Sequence, residues 1–460
     1  MPEVHSLAQF AHDARFSALS ADSLEQLRIR VLDTIGVAIA ARDAEPIRAI
    51  RGLLADLGGT PQATYIGGGA GPLDRVAFYN TALSRYLDFM DSFLAPGETN
   101  HPSDNLGAVL AASESVDGSG REFLTALAVS YQVHARLSEA APVRARGFDH
   151  TVQGAYAAAA GVSRALGLSV EHTAQALAIS GTANNALRVT RTGNLSHWKG
   201  LAYPNVAKEA TFAALLARAG ITGPELVFEG NKGFRETIAG PFEVDWAAEG
   251  LDVVPRTLVK RHNAEIHSQT AIEAALDIRS QDGFLARAIT GVHLRTFAVA
   301  HAIIGGGEEG SKQNIRSKEE ADHSLPYLLA AALLDGAVQP AQFTPERILS
   351  DDIQDLLALI TVEPDAALSA RFPAEMPAEL RVTFADGSVL EASESSYLGF
   401  PSDPLDWDGA LEKFRPLAHP GLGIGPADRL AELIHSLETR PVRELTTALA
   451  RVGGAEQDRS

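Results

Sequence analysis

The run SADSLEQLRIRVLDTIGVAIAA, residues 20–41, decides how the rest of the chain is read. Leu24, Leu27, Val31, Ile35 and Ala38 recur at the spacing of one helical face, with Ser20 or Asp22 placed to cap the start. The same pattern returns through about residue 250. Arg121 to Leu137 aligns Phe123, Leu127 and Tyr131, and QGAYAAAAGVSRALGL (153–168) and EATFAALLARAG (209–220) are helical as well. Gly118, Gly167 and Gly220 fall near helix ends, and abundant Ala and Gly let helices approach closely, as in large buried bundles. No heptad persists, and no fixed-period repeat or low-complexity linker interrupts the pattern.

The character of the chain changes after about residue 255. GVHLRTFAV (291–299) alternates like a strand, and ELRVTFADGSVLEAS (379–393) has the form of a hairpin closed by Asp386–Gly387, which suits a type I′ turn. Between them SLPYLLAAALLDG (324–336) reads as a buried helix. DRLAELIHSLETRPVRELTTALARV (428–452) is helical again and is expected to rejoin the first bundle, while GGAEQDRS (453–460) reads as a frayed end. The expected fold is therefore mainly α: a large helical bundle domain over 1–255, completed by 400–460, with a smaller α/β (α+β) domain over 256–399.

Composition narrows the function. At 460 residues the chain exceeds one ordinary core, and about two to three domains are expected. It has no cysteine, which excludes disulfides, thiol nucleophiles, thiolate zinc sites and cysteine-held iron–sulfur clusters. The net charge of −19 makes nucleic acid and anionic membrane poor partners, so an acidic substrate would need a local cationic cluster. No apolar run of ~18 residues suits a membrane span. MPEVHSLAQFAHDARF lacks a basic region followed by an apolar one, so a cytoplasmic location is expected.

Five segments carry residues suited to chemistry. In NHPSDN (100–105), Pro102 pushes His101 out of helical geometry, and Ser103 or Asp104 stands where it would cap a helix over Asn105–Ala112. That capping accounts for every residue except the histidine, which would sit at a helix N-terminus suited to an anion. RGFDHTVQGAY (146–156) repeats the design, with His150 ahead of Thr151 as the capping residue; a plain loop histidine is the alternative. NNALRVTRTGNLSHWKGLAYPNVAKEA (184–210) holds Arg188, Arg191, His197, Lys199 and Lys208. It is either a solvated loop or, since Trp198 and Tyr203 argue for packing, a cationic lining. LVKRHNAEIHSQTAIEAAL (258–276) crowds Lys260, Arg261, His262, Glu265 and His267 into eight positions. Its histidines are five apart, where a shared helical face needs four, so a cationic acid–base cluster suits it better than a metal. IGGGEEGSKQNIRSKEEADHSLPY (304–327) lacks the GKS/T ending of a phosphate loop and has the look of a flap, with Asp322, His323 and Tyr327 at the next helix.

In this order the segments resemble the MmgE/PrpD family, which includes 2-methylcitrate dehydratases, cis-aconitate decarboxylases and an iminodisuccinate epimerase. The matching stretches are LDFMDSF with HPSDNLGAVLAA, GFDHTVQGAYAAAAGVSRALGL, SHWKG, KRHNAEIHSQTA, ADHSLPYLLAAALLDG and DPLDW, which together cover nearly the whole chain. The resemblance implies a helical domain built from both ends of the chain, a smaller α/β lid, an active site between them, a homodimer, and no metal or organic cofactor. Carried over position by position, it implies site residues at Asp88, Ser92, His101, His150, Lys199, Lys260 and Tyr327. Ser92 replaces the threonine of the decarboxylase branch, and Glu265 stands where that branch places a histidine. AEIHSQTA looks more like the dehydratase branch and brings His267 forward.

These expectations combine into a cofactor-independent lyase acting on a small di- or tricarboxylate, 2-methylcitrate or citrate first. His101, His150, Lys199, Lys260, His267 and Tyr327 would be catalytic, and Asp88, Ser92, Arg188 and Arg191 would bind substrate. A decarboxylase, an epimerase and a non-catalytic tricarboxylate-binding protein are the alternatives. The shared requirement of the three enzymes is proton transfer beside a carboxylate.

Overall fold

The computed structural model describes residues 2–453, so the stretch expected to fray lies, beyond Gly453, outside the described residues. The chain divides into two compact units, one comprising Met1–Thr190, Gly200–Val259 and Leu405–Ser460, the other Arg191–Lys199 and Lys260–Pro404. The fold is mainly α with a small mixed sheet. No described helix is long and apolar enough to cross a membrane.

In the larger unit, the helix read from residues 20–41 spans Ala21–Ala40 and is capped by Ser20, whose hydroxyl accepts from the Ser23 amide at 3.0 Å. It packs against Trp407–Leu422, so the C-terminal part of the chain completes this core. Gly120–Ala140 lies against Thr151–Ala165, which in turn lies against Val170–Ala183. Leu106–Ser115 and Thr151–Ala165 are buried almost all round, because Ala and Gly occupy positions where larger side chains would hold neighbours apart. At Gly154 a Cβ would come within 2.4 Å of the Tyr203 ring. That ring belongs to Trp198–Arg218, a helix that starts eleven residues before the expected EATFAALLARAG and carries Pro204 inside it. Trp198 itself is exposed, contrary to the packing role expected of it; only Tyr203 is buried.

The smaller unit is built on a four-stranded sheet. Ile289–Thr296 pairs in parallel with Ile360–Pro364 on one side and antiparallel with Ala378–Phe384 on the other, and Val389–Glu394 forms the far edge. Val292, Leu294, Leu380 and Val382 alternate inward, and Gln269–Ser280 packs on the hairpin and on the apolar helix Leu325–Asp335. The hairpin turn is not type I′, which needs positive φ at both central residues. Here only Gly387 is left-handed, at φ 84°. The Gly387 amide bonds the Phe384 carbonyl and the Phe384 amide bonds that of Ser388, which makes a three-residue loop with a glycine bulge. Asp386 instead accepts from the Ser388 amide at 2.9 Å.

Candidate active site

In the larger unit the structure gathers a buried group around His101 and His150. His101 starts a short 3-10 turn, Pro102–Asn105, that leads into Leu106–Ser115. Neither Ser103 nor Asp104 caps the helix as expected. Ser103 uses its amide (3.1 Å) and hydroxyl (2.6 Å) to bond Asp91 Oδ1, and Asp104 lies 3.8 Å from the Arg85 guanidinium. Burial pushes the Asp91 carboxyl above its ordinary pKa, against the pull of Ser103.

His101 Nδ1 lies 2.8 Å from the Asp91 carbonyl and 3.1 Å from Ser92 Oγ. A carbonyl only accepts, so Nδ1 carries the hydrogen and Nε2 is the basic nitrogen of the neutral ring. Asp88 accepts from Arg85 at 2.7 Å and sits in the left-handed region at φ 55°, strained backbone of the kind that collects at functional sites.

The His150 ring meets the His101 ring edge-on, with centroids 5.5 Å apart. His150 precedes the helix Thr151–Ala165, but the cap comes from Asp149, whose Oδ1 accepts from the Thr151 amide at 3.1 Å, and not from Thr151. Behind it stand His134, at 6.3 Å between ring centroids, and Tyr203, at 6.4 Å, whose hydroxyl donates to Asn105 Oδ1 at 2.9 Å. Burial lowers the His134 pKa to about 3, so that ring is neutral at physiological pH. Arg188 is half-buried; its positive charge acts on buried Glu98, which accepts from the Val143 and Arg144 amides.

The smaller unit holds a second group. Lys199, in the first turn of Trp198–Arg218, places Nζ 2.9 Å from Asp322 Oδ1 and 2.9 Å from His323 Nδ1. Asp322 is fully buried and also takes Lys318 at 2.6 Å and His323 at 2.6 Å. Burial alone would raise its pKa, but Lys199, Lys318 and His323 outweigh burial and hold the carboxyl far below the usual range. The Glu265 amide donates to the Asp322 carbonyl at 3.0 Å, which ties the KRHNAEIH segment to this cluster.

Glu265 accepts from the His267 amide at 2.8 Å and from its Nδ1 at 2.7 Å. Burial pushes the Glu265 pKa up, while His267, His323 and Lys260 bring it down to about 2. His267 is buried beside the stacked rings of Phe297 and Phe372, at 5.8 and 5.7 Å. Lys260 and Arg191 are buried in the same unit. The Tyr327 phenol donates to the Gln342 carbonyl, and burial raises its pKa. Sequence reading missed Arg85, Asp91, His134, Asp149 and Lys318, although DFMDSF and FDH advertise two of the acids.

Fold and side chains define a mainly helical protein with a smaller mixed-sheet unit, each unit carrying its own buried cluster of titratable groups. The chain belongs to the MmgE/PrpD family: residues 5–247 match the MmgE/PrpD N-terminal domain and residues 262–439 the MmgE/PrpD C-terminal domain. It is similar to the 2-methylcitrate dehydratase of Cupriavidus necator, at 29% identity over 82% of this chain and 81% of that one. The 2-methylcitrate dehydratase of Salmonella typhi is 27% identical over 78% of each chain. A fungal alkylcitrate dehydratase is 26% identical over 85% of this chain and 82% of its own.

Proposed function

We propose that the protein is a hydro-lyase that dehydrates a tricarboxylic hydroxy acid, 2-methylcitrate first and citrate or a longer alkylcitrate next. The observation that carries this reading is the buried His101–His150 pair, in which one ring has its tautomer fixed by the Asp91 carbonyl. Dehydration needs a base to take the proton from carbon beside a carboxylate and an acid to protonate the departing hydroxyl as water. Two imidazoles with centroids 5.5 Å apart suit that division. His101 Nε2 is assigned to one transfer and His150 to the other, with Ser92 bracing His101.

Lys199, Lys260 and Arg191 are assigned to the substrate carboxylates, where their charge lowers the cost of the enolate-like transition state. Asp322 holds the Lys199 ammonium in place at 2.9 Å. His267 acts through Glu265 as a positioning residue, since its ring is enclosed and its Nδ1 committed. Tyr327 and Arg188 are left out of the reacting set for the contacts described above. The homodimer and the cytoplasmic location belong to the same reading by family resemblance, and light scattering tests the former.

The purified chain is incubated with 2-methylcitrate, citrate and cis-aconitate while the absorbance of the unsaturated acid and the release of carbon dioxide are followed. Unsaturated product without gas supports the reading. Gas from cis-aconitate establishes decarboxylation instead, and tight tricarboxylate binding with no turnover establishes a binding protein.

A further inference from the structure

One cation of the smaller unit is unaccounted for by the site as described. Lys312 comes from the glycine-rich stretch after the helix Ala298–Ile304 and is only 6% exposed. Its backbone is fastened beside the second cluster: the Ser324 hydroxyl donates to the Lys312 carbonyl at 2.7 Å, two residues beyond Asp322. The carboxylates whose charge reaches it are, in decreasing effect, Glu309, Glu265, Asp322 and Glu320. Three of these are engaged elsewhere. Glu265 is bound to His267, Asp322 to Lys199, Lys318 and His323, and Glu320 closes the capping box with Ser317. Among the described residues, none stands at ion-pairing distance from the Lys312 ammonium.

A lysine this enclosed and without a salt-bridge partner gains little from folding, and burial does draw the Lys312 pKa below its ordinary value. Such an arrangement persists where the charge has a use, and for a buried lysine that use is an anionic ligand or a reacting group. Lys199 and Lys318 show the contrast, since each stands within ion-pairing distance of Asp322. We propose that Lys312 is a substrate-binding residue that takes one carboxylate of the di- or tricarboxylic ligand. The inference rests on the functional reading above and adds a contact that the family resemblance did not supply.

The test uses the full-length protein and tricarballylate, a tricarboxylate that lacks the hydroxyl and so cannot be dehydrated. Lys312→Met and Lys312→Arg are compared with wild type by titration calorimetry, by melting temperature without ligand, and by steady-state kinetics on 2-methylcitrate. Losing one charged contact weakens binding about tenfold or more. The Met variant is therefore expected to bind tricarballylate at least about tenfold more weakly and to raise KM with kcat nearly kept. The Arg variant should recover most of the affinity, and the unliganded Met variant should melt no lower than wild type. Unchanged binding by the Met variant overturns the inference. So does a lower melting temperature without ligand in both variants, because Lys312 would then serve the fold. If wild type neither binds tricarballylate nor turns over any of the acids, the functional reading falls and takes this one with it; if wild type does both and the Met variant matches it, only the inference falls.

Discussion

Asp322→Asn should unfold the smaller unit more readily, and the size of the effect follows from its three partners. The carboxylate is fully buried, bonds Lys199 at 2.9 Å and His323 at 2.6 Å, and ion-pairs with Lys318 at 2.6 Å. Asparagine keeps the shape and removes the charge. Lys318, whose side chain is 12% exposed, can turn toward water, and His323 can become neutral. Lys199, with a side chain 3% exposed, loses the buried carboxylate that its ammonium faces. Breaking a buried pair by removing one member costs about 3–5 kcal/mol. At about 2–4 °C per kcal/mol, the melting temperature at pH 7 should fall by about 6–20 °C.

The pH dependence has a definite sign. Asp322 has a depressed pKa in the folded state, so its stabilisation is present above the unfolded value of about 3.9 and is lost as pH falls below it. Circular dichroism melts of both proteins should show the full gap at pH 7 and a gap narrowing by about 1.4 kcal/mol per pH unit below about pH 3.9. A variant that melts within about 2 °C of wild type at pH 7, or a gap equally large in acid, would refute the argument.

Three further outcomes are expected. His101→Gln should lower kcat by about 10²–10⁴-fold while leaving the melting temperature nearly unchanged; a loss of stability with normal turnover would make His101 a structural ring only. Lys260→Ala should lower kcat/KM on 2-methylcitrate at least about a hundredfold, read by steady-state kinetics, if its fully buried ammonium binds a substrate carboxylate as proposed. Gly154→Ala should cost about 1–3 kcal/mol in denaturant unfolding, since the new methyl would force the Tyr203 ring from its bond to Asn105. An unaffected midpoint would mean that the two helices separate freely.

Local rules read the fold where the cause was local. Ser20 capping Ala21–Ala40 and the inward alternation of Leu380 and Val382 needed only neighbours in sequence. The hairpin was found but its turn mistyped, because Asp386–Gly387 satisfies two turn geometries that differ in the φ of one residue. Helix Trp198–Arg218 began earlier than expected because its polar first turns and Pro204 mask the helical pattern.

The site was legible as a set of residues and not as contacts. Ser103 resembled a cap, yet its partner is Asp91, twelve positions back. Lys199 and Asp322 are 123 positions apart, and nothing near either one announces the pair. Lys312 was passed over inside a stretch that reads as a flap, since burial of an ammonium is a property of the folded surroundings alone.

The most direct test runs the proposed reaction backwards in heavy water. With 2-methyl-cis-aconitate as substrate, hydration should yield 2-methylcitrate carrying one non-exchangeable deuterium on the carbon beside a carboxylate, seen by NMR, and His101→Gln should all but abolish that label. A product that has lost carbon dioxide and holds deuterium in place of the carboxylate, or no addition of water at all, would contradict the account.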